Sequence, residues 1–500
     1  MPTKAHSVAV AAPHQAAVDA AAEAVAAGGS PADAAVAAAA VLAVVYPHQC
    51  SLGGDLIALA RPAGTGEVHA VLSAGAAPRN IDVAALRAAS DRMPPGGPLS
   101  VTVPGAVAGL REISRRWGQL AWADLLRSAI RLARDGAPVS AGMARAIRSR
   151  AEVLDRDPGL AALVRPGGRS LSEGERFVQP ALARTLERVA EDPDGFYRGA
   201  LAADVAAGLA ALGSPVDADD LAAHEAEVTR PLTAERAGSR WFVAPPPSQG
   251  ALFLAALTGA PDGTPAALVR SARAAELARD AHLGDPRGGP IDVDALLAGR
   301  SEPGAAHPVP VAAGDTVAVT AVGTDGTAVS LIMSVYQSFG AGIMDPATGL
   351  IFHNRGSAFR LEAGHPGVVG PGVRPPHTLC PVIGQADGIV VALGCQGGRA
   401  QPWILAQVAD GTVTSDDLTG LVGRPRWVIG SRELGRQRPT LMAEPGAPEA
   451  AAEAARELGL DVAAWPGPDD DAGHVQVARV RGGILDAASD PRADGRAVVA

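Results

Sequence analysis

The chain of 500 residues contains one lysine, Lys4, among 43 basic residues, so nearly all of its positive charge is arginine. A pyridoxal phosphate site needs a Schiff-base lysine in the core, and a phosphate-binding P-loop needs G-x-x-x-x-G-K-[ST]; neither can be built here. Cysteine is almost as scarce. Cys50, Cys380 and Cys395 lie far apart and form no C-x-x-C pair, which excludes a zinc site of the usual spacing and a disulfide framework and points to a reduced, cytoplasmic chain. Long apolar runs are absent too. The longest, Ala34 to Tyr46, has thirteen residues, short of the roughly 20 that a membrane span requires. At the N-terminus the apolar stretch Val8 to Ala12 is closed by Pro13, Asp19 and Glu23, so no secretory signal is expected. The net charge of −10 is spread without acidic or basic blocks. That argues against nucleic acid and membrane surfaces and leaves a small molecule as the expected partner.

What is present is an apolar, alanine-rich chain, 47% hydrophobic, which fits one large compact α/β unit or two domains that share a core. Residues 14–45 read as two helices separated by Gly28-Gly29-Ser30-Pro31, with Ser30 as cap and Pro31 in the first turn of the second. Ser51 to Asp55 reads as a glycine turn into a buried strand, Leu56 to Ala60, with Val68 to Leu72 as its neighbour. Helical patterns dominate from 105 to about 300, and residues 301–315 read as an exposed loop. The pattern then changes. Thr316 to Val322 is rich in β-branched residues, Thr324-Asp325-Gly326 supplies a turn, and Ala328 to Val335 forms a second β run, which predicts a hairpin. Gly388 to Leu393 predicts another strand, entering the glycine loop Gly394 to Gly398 and then a helix from Trp403. Strand, glycine loop and helix in sequence concentrate free backbone N–H groups.

No G-x-S-x-G elbow, H-E-x-x-H pair or G-x-G-x-x-G fingerprint in a useful context is present. What remains is a threonine at a loop-to-strand junction, Thr316, and a glycine pair, Gly397-Gly398, able to bind an oxyanion. A threonine opening a strand is ordinarily structural, and a glycine pair is ordinarily a turn.

A series of ordered motifs changes that balance. Pro47 to Asp55 resembles the P-H-S-x-G-x-G-G-G segment of γ-glutamyltransferases, and Val103 to Gly109 resembles their V-P-G-x-V-x-G. Leu132 to Gly136, Tyr197-Arg198-Gly199, Asp220-Leu221, Pro245 to Gly250, Asp325 to Ser330, Phe339 to Gly342, Gly473-His474 and Asp490-Pro491-Arg492 follow in the family's order, from about residue 8 to 496. The chain is thereby identified as resembling this family of N-terminal nucleophile (Ntn) hydrolases. The resemblance implies a four-layer αββα sandwich made as a precursor that cuts itself between Asp315 and Thr316. It would leave a helix-rich large subunit, 1–315, and a small subunit, 316–500, with a higher oligomer left open. The freed α-amine of Thr316, with a reference pKa of about 7.7 to 8.0, would serve as base for its own hydroxyl.

By the same resemblance the N–H groups of Gly397 and Gly398 would stabilise the oxyanion, and Ser334 stands where the family has a threonine beside the nucleophile. Asn354, Arg355, Tyr336, His377 and Thr378 are the candidate substrate contacts, with His377 and Thr378 replacing a serine pair that grips the glutamyl carboxylate. No metal or organic cofactor is implied. Two departures concern the substrate. Ala74 stands where the family places the arginine for the glutamyl α-carboxylate, and Ala358 where it places the acid for the amine. Arg355 stands where the main group has an uncharged amide. An Ntn hydrolase with a changed substrate is therefore expected ahead of a classical γ-glutamyltransferase, a cephalosporin-acylase-like amidohydrolase or a non-catalytic scaffold. Homologues in antibiotic pathways hydrolyse a C–C bond on the route to 4-alkylproline units, and the sharpest expectation is hydrolysis of that kind, releasing oxalate.

Overall fold

The computed structural model describes residues 7–301, 315–431 and 434–500; the expected loop at 301–315 falls outside them from 302 to 314. Two antiparallel sheets lie face to face. The first runs, in spatial order, Arg496–Val499, Val8–Ala12, Asp315–Gly323, Ala328–Tyr336, Asp55–Arg61, His69–Ser73 and Glu227–Thr229. The second runs Ile484–Ser489, Val475–Arg481, Ile389–Cys395, Val382–Ala386, Ser239–Val243 and Leu232–Arg236.

Period-2 alternation sorts each strand's side chains between two cores. In Asp315–Gly323, Val317, Val319 and Ala321 face the helices while Ala318 and Val322 face the other sheet. Ile57, Leu59, Ile332, Ile383 and Ala392 complete the layer between the sheets. Helices cover both outer faces, with Val36, Val41 and Leu110 on one side and Phe253, Trp403 and Ile404 on the other. This is the αββα sandwich expected from sequence.

The helix Pro31–Val45 is buried along its whole length. Alanine makes this feasible, because a small side chain on every face lets neighbouring helices and the sheet approach closely. Its start is fixed by a capping box: Ser30 Oγ accepts from Asp33 N, and Asp33 Oδ2 accepts from Ser30 N at 2.8 Å. Such a cap contributes about 1 kcal/mol.

The structure refines two sequence expectations. Helices dominate from 105 to 300 as expected, but strands the sequence reading did not place there, Glu227–Thr229 and the hairpin Leu232–Arg236/Ser239–Val243, interrupt them. That hairpin turns at Ala237-Gly238, both with positive φ (49° and 76°), as a two-residue turn requires; the charged, half-buried strand before it hid the alternation. The helix expected from Trp403 begins at Gln401, because Pro402 is preorganised for the first turn.

Candidate active site

Thr316 pairs with Ser334 across one strand gap, and Ser334 pairs with Asp55 across the next. Paired residues of adjacent strands present side chains on the same face, so the three form one row on the face between the sheets. With strands about 4.8 Å apart, the Thr316 and Asp55 Cα atoms stand about 10 Å apart.

Thr316 Oγ1 donates to Ser334 Oγ at 3.0 Å, and Ser334 Oγ donates to the carbonyl oxygen of Asp315 at 2.7 Å. The Tyr336 N–H also donates to Ser334 Oγ, at 2.8 Å. The pairing register shifts between Ser334 and Tyr336, and Tyr336 (φ 79°) and Phe339 (φ 60°) both occupy the left-handed region. For bulky residues that conformation costs about 1 to 3 kcal/mol each. The Pro47–Asp55 motif holds the distorted stretch in place: Val335 N donates to Gln49 O and Phe339 N to His48 O, both at 3.0 Å.

The strand Ile389–Cys395 crosses this hairpin from the second sheet. Ser330 Oγ donates to Leu393 O at 2.8 Å, and Gly394 lies so close to Ala318 and Ile332 that an added Cβ would stand 3.1 Å and 2.5 Å from their side-chain carbons. Beyond it, Gln396 lines the same cavity as Asp315, and Gly397 and Gly398 follow it in the chain. Gly397 (φ 143°) and Gly398 (φ 51°) adopt backbone angles that favour glycine. Among the described residues neither of their N–H groups donates to a partner. Gln249, from the Pro245–Gly250 motif, is wholly buried and clips this loop: its Nε2 donates to Gly398 O at 2.9 Å and to Thr378 O at 2.6 Å, and its Oε1 accepts from Arg279 Nε at 3.0 Å.

At the other end of the row lies a buried charge cluster. Asp55 Oδ2 accepts from His377 Nε2 at 3.0 Å and lies 3.1 Å from His353 Nδ1, while Asp55 Oδ1 accepts from Gly75 N at 3.0 Å. Burial works against an ionised Asp55, but the charge of His353 close beside it and the hydrogen bond from His377 hold it well below the usual carboxylate range. Burial, then the Arg355 cation, lowers the His377 pKa to about 3, so its ring is neutral at pH 7. Arg355 is inaccessible to solvent. Its guanidinium carbon sits 3.9 Å from the Tyr336 ring centroid, and Nη1 donates to Thr378 Oγ1 at 3.0 Å. Nε and Nη2 have no hydrogen-bond partner, Nε lying 3.8 Å from Asp55 Oδ2. Burial lowers the Arg355 pKa only to about 10, so it remains a cation. A desolvated guanidinium with one edge unpaired is matched by a carboxylate, which takes Nε–H and Nη2–H side by side.

Asp315 borders a cavity of about 830 Å³ that Gln396, His474, Arg150, Gln337 and Asp471 also line. Burial, and then the nearby Asp471, push its carboxyl pKa up to about 8.

The structure thus brings Thr316, Ser334 and Asp315 into one hydrogen-bonded set and Arg355, Tyr336, His377 and Thr378 into another. Asn354 sits beside the second, its amide spent on the loops: Nδ2 donates to Pro95 O at 2.6 Å and Oδ1 accepts from Gln337 N at 3.1 Å. Ala74 and Ala358 are buried, and Ala358 packs on Tyr336. Sequence reasoning gave no role to Asp55, His353 or Gln249. The one available signal was an aspartate opening an apolar strand behind two glycines.

A sandwich of this kind with a threonine opening a central strand defines an Ntn hydrolase. The gamma-glutamyltranspeptidase family profile matches residues 17–500, and the chain belongs to that family. It is 38% identical over 522 residues to the oxamate amidohydrolase proenzyme of Klebsiella pneumoniae, covering 98% of each chain. It is 30% identical over 517 residues to the acylase ACY 1 proenzyme of a Pseudomonas species, covering 94% of this chain and 90% of that one. The crystal structure of cephalosporin acylase from Bacillus halodurans superposes with a TM-score of 0.88 at 27% identity, over 100% of this chain and 97% of that one. Among the described residues no helix is long and apolar enough to cross a membrane.

Proposed function

We propose that the chain cuts itself between Asp315 and Thr316 and then hydrolyses a small amide whose attacked carbonyl bears a carboxylate on the neighbouring carbon, as in oxamate. The observation that carries this reading is the unpaired Nε and Nη2 of buried Arg355, with Nε 3.8 Å from Asp55, the residue two strands along the row from Thr316. A γ-glutamyl group finds alanine at positions 74 and 358, where its two charges would need partners, whereas an acyl group that carries only a carboxylate needs only Arg355. The Klebsiella relative, named for oxamate, supports the same substrate class.

In self-cleavage the Thr316 hydroxyl attacks the Asp315 carbonyl carbon, Ser334 hydrogen-bonds the carbonyl oxygen, and the resulting ester is opened by water. In catalysis the free Thr316 amine takes the hydroxyl proton as Oγ1 bonds to the substrate carbonyl carbon. Gly397 and Gly398 N–H groups hold the oxyanion. The C–N bond breaks, the proton passes to the leaving nitrogen, and water then releases oxalate from the Thr316 ester. A cytoplasmic setting fits the three free, buried thiols.

A second reading keeps the oxalyl group and changes what leaves. The cavity of about 830 Å³ lies on the Asp315 side, where the Thr316 amine forms and delivers its proton, and it is far larger than ammonia needs. That volume favours a bulky leaving group, including a carbon fragment able to delocalise charge, as in 4-alkylproline precursors with an α-keto acid side chain. The test is oxalate release from oxamate, from N-substituted oxamates and from such a keto acid. The proposal expects oxalate from at least one of them and a KM raised about tenfold or more in Arg355→Gln, since a hydrogen bond to a charged group is lost. Turnover of γ-glutamyl anilides alone would overturn it.

A further inference from the structure

Arg355 and Asp55 are both buried and of opposite charge, yet they do not close on one another. Asp55 is held by the Gly75 N–H and by His377, with His353 against the same oxygen. Arg355 is held flat by the Tyr336 ring and by Thr378. Each is fixed from its own side, and the 3.8 Å left between Nε and Oδ2 is too long for a hydrogen bond but short for a charge interaction in a desolvated site. A pair made only for stability would close to a bidentate contact, as Arg374 and Asp285 do elsewhere in this chain, with Nη2 to Oδ1 at 2.8 Å and Nε to Oδ2 at 3.1 Å.

We propose that Asp55 is a resident counter-ion to Arg355 that competes with the substrate's carboxylate, balancing the empty site and easing the departure of a dianionic product. The inference rests on the reading of Arg355 as the carboxylate site. Before substrate binds, the Asp55 carboxylate offsets the positive charge of Arg355 and of His353 beside it. An oxamate-like substrate adds a single negative charge, paired on Nε and Nη2. Hydrolysis turns the acyl carbon into a second carboxylate, so the product places a further negative charge on the same short row that ends at Asp55. Repulsion from a fixed carboxylate then weighs on the product more than on the substrate.

The test is oxalate affinity of the mature protein, measured by titration calorimetry, in wild type and Asp55→Asn. Removing the competing charge is expected to tighten oxalate by about tenfold or more, and to lower both KM for oxamate and kcat as product lingers. An unchanged or weakened affinity would overturn the inference. Arg355→Gln separates the two claims. If it leaves oxalate affinity unchanged, the carboxylate reading itself fails; if it weakens oxalate while Asp55→Asn does not tighten it, only the counter-ion role fails. Asp55→Asn leaves a buried guanidinium unbalanced, which can prevent folding. In that event the double variant Asp55→Asn/Arg355→Gln decides: recovery of soluble, processed protein supports the charge balance, and its failure assigns Asp55 to the architecture alone.

Discussion

A serine hydroxyl has one proton to give, and Ser334 gives it to the Asp315 carbonyl while accepting from Thr316 Oγ1 and Tyr336 N. The direction of the Thr316 bond is therefore fixed, and its proton points toward an acceptor on the way to the carbonyl it would attack. Ser334→Ala is expected to fold and to cut itself at least about a hundredfold more slowly, as loss of one oxyanion donor does; Ser334→Thr, which keeps the hydroxyl, should process at a rate near wild type. A time course on a denaturing gel reads both. Asp315 adds a pH dependence. Its folded pKa of about 8 and the value of about 6 for Asp471, raised by burial and by Asp469 and Asp470, both exceed ordinary carboxylate values. The folded precursor thus keeps protons that the unfolded chain releases near pH 4. The stability these two carboxyls contribute to the precursor is fully present below that value and is lost as pH rises toward 8. Thermal melts of uncut Thr316→Ala should show this decline, and adding Asp315→Asn should flatten its upper part. Thr316, Ser334 and Arg355 could be read from the sequence because each stands at a family position. Asp55 could not, because its imidazole partners lie about three hundred residues away and meet it only through the fold.

At the scale of elements, the central hairpin was legible because β-branched residues, period-2 alternation and a Thr-Asp-Gly turn all agree, and its strands are Asp315–Gly323 and Ala328–Tyr336. The outer hairpin Leu232–Arg236/Ser239–Val243 was not, since its first strand carries alternating half-buried and exposed residues with little β preference. The strand–glycine–helix unit ending in Gly397-Gly398 was legible as a type, but what holds it was hidden. That is Gln249, whose amide joins the glycine loop to Thr378 and so to Arg355. Gln249→Ala leaves buried groups unpaired and should cost about 1 to 3 kcal/mol of stability. It should also lower kcat about tenfold or more by loosening Gly397 and Gly398, the proposed oxyanion donors. Melting temperature and steady-state rates measure the two effects separately, and a stability loss without a kcat change would confine Gln249 to the architecture.

Across the whole molecule, the first strand, Val8–Ala12, is flanked by Asp315–Gly323 on one side and Arg496–Val499 on the other. Cleavage before Thr316 would give the first strand to one subunit and both its neighbours to the other. The two products should therefore co-elute on native gel filtration and separate only under denaturation; separation of folded subunits would contradict this topology. The central claim is that Thr316 becomes an N-terminal nucleophile that carries an oxalyl group. Mass spectrometry of mature protein quenched during turnover of oxamate or its N-substituted analogues tests it most directly. The account predicts a small subunit beginning at Thr316, Val317, Ala318 with an oxalyl ester on that first peptide. An active chain that remains uncut, or an acyl group found on any other residue, would contradict it.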